Sequence, residues 1–289
     1  MGDDVSTRRS ATFGILVMAL GTLMLPGVDA IAKHLSATHS PAFLSWARYA
    51  AASCVVVPFA VARFGTAIFP REQLGAHFLR TAFIVGAMSL YFFAVVHAPL
   101  ANAITAFFVA PVVAMVLAVM LLGERLTGRK LASLTLGVAG TLIIVRPSGA
   151  GLNPGLLLAL GAGILYALYS IATRMASQRS DPVKTLVFQC VVGSLLLTPQ
   201  AISTWSMPRP DEIWLFALLG LISVFGHLFL IIAYRHAQAS LLAPIVYLEL
   251  VGSALLGYLV FGDVPGASIW IGAAAIIAAG IVLLTARPR

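Results

Sequence analysis

Glu249 stands near the middle of an apolar stretch, with Gly252, Ser253 and Gly257 on its side of a helical projection. A carboxyl group in hydrocarbon is costly, so it needs a partner, a water-filled hollow or a task. Its chemistry is that of a contact for a substrate ammonium or of a proton carrier; the structural alternative is an ion pair with Arg48 or a hydrogen bond to a neighbouring helix. Arg48, seven residues after Pro41 in another apolar stretch, reads first as a structural pair and second as a reader of carboxylates. A lone histidine on an apolar helix reads first as packed, so substrate contact is the second reading of His227. Thr22, Pro26, Asp29 and Lys33 recur at steps of four, three and four, which is one helical face. The spacing of Asp29 and Lys33 suits a local i,i+4 pair. Tyr91, Tyr166, Tyr169 and Tyr247 lie deep in apolar stretches, where they pack or, if a hollow exists, stack on an aromatic or apolar solute. No HxxxH, CxxC or carboxylate cluster suggests a metal, and no GxxxxGK[ST] loop suggests a nucleotide. No nucleophile–base set is recognisable either, so the expectation is a protein without cofactor that is not an enzyme.

The elements that carry these residues are membrane spans. Hydrophobic residues make up 60% of the 289 and charged ones 10%, with a mean hydropathy of +1.00. A soluble domain holds about a quarter charged residues. Ten spans can be drawn at 12–35, 41–63, 76–97, 100–122, 129–146, 154–176, 183–204, 211–236, 239–261 and 266–285. A helix rises about 1.5 Å per residue, so twenty residues cross roughly 30 Å of hydrocarbon. The pI near 10.0 does not point to nucleic acid, because the basic residues sit singly or in threes between spans. Cys54 and Cys190 fall inside spans, which argues against a disulfide framework.

The spans repeat. His97–Gly128 and His236–Ala267 match at an offset of 139: His97 on His236, Ala98 on Ala237, Val112 on Val251, Gly123 on Gly262, and Glu124 on Asp263. Residues 15–21 (ILVMALG) answer 155–161 (GLLLALG) at offset 140, and Pro41 and Pro58 answer Pro182 and Pro199 at 141. The fold expected is therefore an all-α integral membrane protein of ten helices, built as two five-helix repeats, 1–147 and 148–289. The turn-rich linker 147–154 joins them. Because five is odd, the second repeat inserts upside down relative to the first.

Arg8 and Arg9 ahead of the first span resemble a secretory signal, with Val28-Asp29-Ala30 as a poor cleavage site, but the internal copy of that span argues against removal. Met1-Gly2 with Ser6 also fits the short myristoylation pattern, which few fixed positions define. With both termini in the cytoplasm, fourteen of the eighteen Lys and Arg, Arg80 among them, fall at cytoplasmic ends; Lys33, Arg146 and Arg209 fall outside and Arg48 lies within a span. An inner-membrane location follows. Glu124 and Asp263 read as helix closures that pair with Arg125 or Arg129. His97 and His236 read as interfacial, and Trp205, Trp214 and Trp270 as an interfacial belt. Gly137, Gly140, Gly272 and Gly280 give the fifth and tenth spans small-residue faces, which suit close packing on lipid, on a neighbouring helix or in a dimer, so the chain is expected to be a monomer or a homodimer through these two spans.

Residues 111–145 (PVVAMVLAVMLLGERLTGRKLASLTLGVAGTLIIV) and 247–285 (YLELVGSALLGYLVFGDVPGASIWIGAAAIIAAGIVLLT), with their paired Gly-Glu and Gly-Asp closures, resemble the two repeats of EamA-type carriers in the drug/metabolite transporter superfamily. The resemblance covers nearly the whole chain and is greatest to bacterial amino-acid exporters, including the aromatic ones. It implies ten helices, cytoplasmic termini, a central cavity and efflux of small metabolites. The family's helix-four proline is matched by Pro111; the equivalent position in helix nine is Leu250, with Pro244 six residues earlier.

Where the copies disagree, a symmetric scaffold has been adapted to an asymmetric solute. Ala110 becomes Glu249, Met88 becomes His227, Asp29 meets Tyr169, and Arg48 meets Gln189. The Thr22 face of the first span is answered in the sixth by Ala162, Tyr166, Tyr169 and Thr173, so both spans are expected to line one interior. The candidate substrate contacts are thus Glu249, Arg48, His227, Tyr166, Tyr169, Asp29, Thr22, Ser253, Tyr91 and Gln189. The function expected is export of small zwitterionic metabolites, amino acids with large apolar or aromatic side chains, by a secondary carrier using alternating access. The alternative is a multidrug exporter of cationic apolar compounds.

Overall fold

The computed structural model describes residues 2–98, 100–146, 154–262, 264 and 266–284. The expected closure by Asp263 and the connector between the repeats lie outside that set. Among the described residues, ten helical spans are long and apolar enough to cross a membrane and there are no strands. The first three spans are α1 (Gly2–Leu35), α2 (Pro41–Phe64) and α3 (Leu74–His97). The fourth is broken into α4 (Leu100–Phe107) and α5 (Ala110–Leu122). Then follow α6 (Gly128–Val145), α7 (Pro154–Ser177), α8 (Pro182–Ser203) and α9 (Ile213–His236). The ninth span is broken too, into α10 (Ala239–Leu242), a 3-10 segment (Ala243–Tyr247) and α11 (Leu248–Phe261); α12 (Ala267–Leu284) is the last.

Local chemistry sets these boundaries in matched pairs. Ser40 accepts a hydrogen bond from the amide of Phe43 at 3.1 Å and Pro41 opens α2; Asp181 accepts from the amide of Val183 at 2.8 Å and Pro182 opens α8. Side-chain acceptors there satisfy amides that have no partner inside the helix, and proline loses nothing at the first position. Gly123 and Gly262 end α5 and α11 with φ of +64° and +72°, a conformation that side-chain-bearing residues avoid. The breaks have a cause in proline: Pro111 and Pro244 have no amide hydrogen to continue the ladder.

The packing is that of a pseudo-twofold. Helix α3 runs along α7, and in image α9 runs along α1; α4 and α5 lie on α7 as α10 and α11 lie on α1; α2 meets α8, and α6 meets α12. Tyr247 and Phe108 are equivalent residues at offset 139, and they meet each other. Their rings stack at 5.7 Å and 24°, and the Tyr247 hydroxyl donates to the Phe108 carbonyl at 3.2 Å. Two equivalent residues touching one another mark the axis. The largest buried cluster surrounds it, with Phe107, Tyr166 and Leu250 among its members.

The small-residue faces of α6 and α12 are used inside the chain. A Cβ on Gly140 would lie 2.7 Å from the Gly272 carbonyl, one on Gly272 would lie 2.6 Å from the Gly140 carbonyl, and the Ser133 hydroxyl donates to the Ala279 carbonyl at 2.7 Å. Gly137 faces the Tyr247 ring. Close backbone approach explains Gly140 and Gly272, so these faces pack on a neighbouring helix of the same chain.

Glu124 departs from the expected local closure with Arg125 or Arg129. It reaches the other repeat and caps the ninth span. Its Oε1 accepts from the amide of Ala239 at 2.9 Å, and its Oε2 from the amide and hydroxyl of Ser240 at 2.8 and 2.5 Å. Lys130 Nζ donates to Gln238 Oε1 at 2.7 Å and to Ser240 Oγ at 2.6 Å beside it. Hydrogen bonds to a buried carboxylate are worth about 1.5–3 kcal/mol each. Glu124→Ala should therefore destabilise the purified protein by about 3 kcal/mol, read as a lowered thermal midpoint in detergent; an unchanged midpoint would show that this tie holds nothing together. The opposite end of the bundle has a tie of its own. Buried Glu212 accepts from Thr38 Oγ1 and His39 Nε2, both at 2.9 Å, and from the Arg209 amide at 3.0 Å.

Candidate functional site

A cavity of about 210 Å³ lies between the two repeats, beside the axis. Asp29 enters it from α1, Arg48 from α2, Met88 and Tyr91 from α3, Phe107 from α4, Tyr166 from α7, His227 from α9, and Glu249 and Ser253 from α11. The break in the ninth span sets Glu249 in the first turn of α11, directly after the 3-10 segment. Ile84, Ile104, Phe108 and Leu250 complete an apolar wall. A larger groove of about 380 Å³ between α4, α6 and α7 has no ionisable side chain except Tyr247, so its chemistry gives it less to recognise.

The charges face each other across the hollow without closing on one another. Among the described residues, neither Asp29 nor Glu249 forms an ion pair with Arg48, although the arginine charge acts on both carboxylates. The first reading of Arg48, a structural ion pair, is thereby corrected. Its Nη2 donates instead to the neighbouring Tyr49 hydroxyl at 3.4 Å, and the guanidinium lies 5.0 Å from that ring's centre. Asp29, expected in a local helical pair, lines the cavity. His227, read first as packed, lines the cavity and meets the Tyr169 hydroxyl at Nδ1, 3.4 Å away.

Three of the sequence candidates do not line the cavity. Thr22 is fully buried, and its hydroxyl donates back to the Met18 carbonyl at 3.0 Å and the Ala19 carbonyl at 3.1 Å of its own helix. A threonine satisfied by the preceding turn has no donor to offer a solute. Tyr169 and Gln189 sit one layer back, held by a residue that the charge pattern places at a span end. Arg80 is wholly buried between α3, α7 and α8. Its Nε donates to Thr173 Oγ1 at 2.8 Å and its Nη2 to Gln189 Oε1 at 2.7 Å and the Tyr169 hydroxyl at 3.3 Å, with the guanidinium 4.9 Å from the Tyr169 ring centre. Position 80 falls inside the span drawn at 76–97, and that placement, not the charge bias, predicts its burial.

The cavity, with opposed charges in an apolar enclosure at the junction of two inverted repeats, has the location and chemistry of a carrier's binding site. The sequence profile of the EamA-like transporter family matches twice, over residues 12–146 and again over 153–286. The chain belongs to that family. Among similar proteins, an S-adenosylmethionine uptake transporter of Rickettsia prowazekii (strain Madrid E) is 26% identical over 261 residues, covering 90% of this chain and 88% of the relative. A riboflavin transporter of Vibrio cholerae is 28% identical over 91% of this chain and 90% of its own. The pseudopaline exporter CntI of Pseudomonas aeruginosa is 27% identical over 93% and 95%. A solved crystal structure with 21% identity superposes at a TM-score of 0.80 over 95% of this chain and 96% of the other, which establishes a shared fold. The protein is thus a multi-pass membrane transporter of small metabolites and not an enzyme.

Proposed function

We propose that this carrier exports solutes with an α-amino-acid head and a large apolar or aromatic remainder across the inner membrane by alternating access. The observation that supports this most is the unpaired set in the cavity. One guanidinium suits a carboxylate, and two carboxylates opposite it suit an ammonium and, where present, a second cationic centre. Tyr91, Tyr166 and Phe107 offer faces to a ring. S-adenosylmethionine combines an amino-acid head, a cationic sulfur and an aromatic base, so the name of one relative is in keeping with this chemistry. Residues 1–147 and 148–289 are taken as the two repeats, with both termini cytoplasmic. The end bearing the connections 65–73, 123–127, 178–181 and 237–238 then faces the cytoplasm, as the bias in basic residues favours. The carrier functions as a monomer or as a homodimer through α6 and α12 on this reading. Export is favoured by the pseudopaline relative, whereas the S-adenosylmethionine relative is named for uptake, so direction is part of the test.

Proteoliposomes loaded with labelled phenylalanine, phenethylamine, 3-phenylpropionate or S-adenosylmethionine provide that test. The amino-acid-headed solutes should leave at least tenfold faster than the two truncated analogues, and Glu249→Gln should slow them by about tenfold, the worth of one lost charge-assisted contact. Equal release of phenethylamine and phenylalanine would favour the reading as an exporter of cationic apolar compounds. Comparing Glu249→Gln across several pH values separates proton coupling from simple attraction, since a carrier whose coupling proton sits on Glu249 loses its pH dependence with the substitution.

A further inference from the structure

Arg80 and His77 are one helical turn apart on α3 and buried at 0% and 1% exposure. Each has one nitrogen without a hydrogen-bond partner, Arg80 Nη1 and His77 Nδ1. The other side of the histidine ring is engaged, with Nε2 3.0 Å from Ser180 Oγ in the turn between α7 and α8. If Ser180 donates there, Nδ1 carries the proton, so both unpartnered atoms are donors. The Arg80 charge acts on the His77 ring, and no carboxylate is within ion-pair distance of Arg80 among the described residues.

The fold does not demand charge at this place. At offset 139 the equivalents of His77 and Arg80 are Phe216 and Leu219, both buried and apolar. The residues around Arg80 have charged images instead. Gln189, which accepts from Arg80, corresponds to Arg48, and Tyr169 corresponds to Asp29. Each half of the bundle therefore holds one guanidinium: Arg48 on α2 in one, at the position equivalent to Gln189, and Arg80 on α3, beside Gln189, in the other. In an inverted repeat, turnover exchanges the conformations of the two halves.

We infer that His77 and Arg80 form a second anion site, the counterpart of Arg48, which receives the solute's carboxylate when the carrier opens to the face bearing the 65–73 and 178–181 connections. This rests on the reading that the solute bears a carboxylate. In the state described, Tyr169 and Gln189 separate Arg80 from the cavity; an opening between α3 and α8 brings Nη1 and Nδ1 into contact with solute. Nε and Nη2 of Arg80 hold Thr173, Gln189 and Tyr169, but Nη1 is buried without a partner, which a purely structural guanidinium would not require.

The probe is acetate, titrated at constant ionic strength against chloride, with the thermal midpoint of the purified protein as readout. An Arg48→Gln background removes the cavity's own guanidinium. Acetate should raise the midpoint in that background, and adding Arg80→Met should abolish the rise. A background that no longer responds, or a response that survives Arg80→Met, overturns the site. Should Arg80→Met fail to accumulate, His77→Phe, which copies the residue at the image position, should weaken the acetate response at least fivefold, and an unweakened response overturns the site equally. In proteoliposomes, Arg80→Met should raise KM about tenfold for phenylalanine offered from this face and leave KM for phenethylamine unchanged. An acetate response without amino-acid transport would leave the anion site standing and remove the amino-acid reading; transport without an acetate response removes the site alone.

Discussion

Arg48→Gln should lower the transport of phenylalanine by on the order of 100-fold and leave phenethylamine near or above its original rate. Removing one partner of a desolvated, hydrogen-bonded charge pair costs about 2–5 kcal/mol, and each 1.4 kcal/mol is tenfold. The guanidinium is the only cationic side chain lining the cavity among the described residues, while Asp29 and Glu249 remain to hold an amine. Arg48→Lys keeps the charge but loses the planar fork, so an intermediate loss is expected. The measurement is initial-rate counterflow in proteoliposomes with both solutes. Loss of both in equal proportion would mean that Arg48 supports the cavity's shape rather than reading the carboxylate.

The second large effect is structural. Gly163→Val should cost about 3 kcal/mol or more and lower the amount of folded carrier that survives extraction. A Cβ at position 163 would lie 2.5 Å from the Phe107 carbonyl oxygen and 2.9 Å from Val109 Cγ1. Those atoms belong to the break in the fourth span, which the α7 backbone can approach only where no side chain intervenes. Backbone has no rotamer with which to give way, so α7 must move, and Tyr166 would leave the cavity wall with it. Size-exclusion recovery and thermal midpoint in detergent are the readouts. A valine variant with the parental midpoint would show that the close crossing is dispensable. Gly75, with nothing near its Cβ position, is the control and should tolerate alanine.

The repeat, the ten spans and the glycine closures were legible because each rests on local rules: hydropathy, proline, and a positive φ after a helix. Glu249, Arg48 and Asp29 were legible as candidates because a charge within a span has few places to point. What sequence could not supply was depth. Tyr166 and Tyr169 are a helical turn apart on α7, yet one faces the cavity and the other Arg80, because that division depends on where α3 and α8 press against the helix. Thr22 lies on the same stripe as Asp29 but is satisfied by its own carbonyls. Glu124 found its amides in the other repeat, a partner that only the docking of the two halves reveals. Arg80 was hidden by a rule that is sound for loops and was applied to a residue inside a helix.

The pairing of α1 with α9 and of α3 with α7 has a consequence for how this chain is made. The chief neighbour of α1 is synthesised late: α9 begins at Ile213, while α1 ends at Leu35. At about 5–20 residues per second, the ribosome needs roughly 10–40 s to supply that neighbour. Throughout that interval Asp29 lacks the α9 and α11 side of the wall that encloses it, which carries His227 and Glu249.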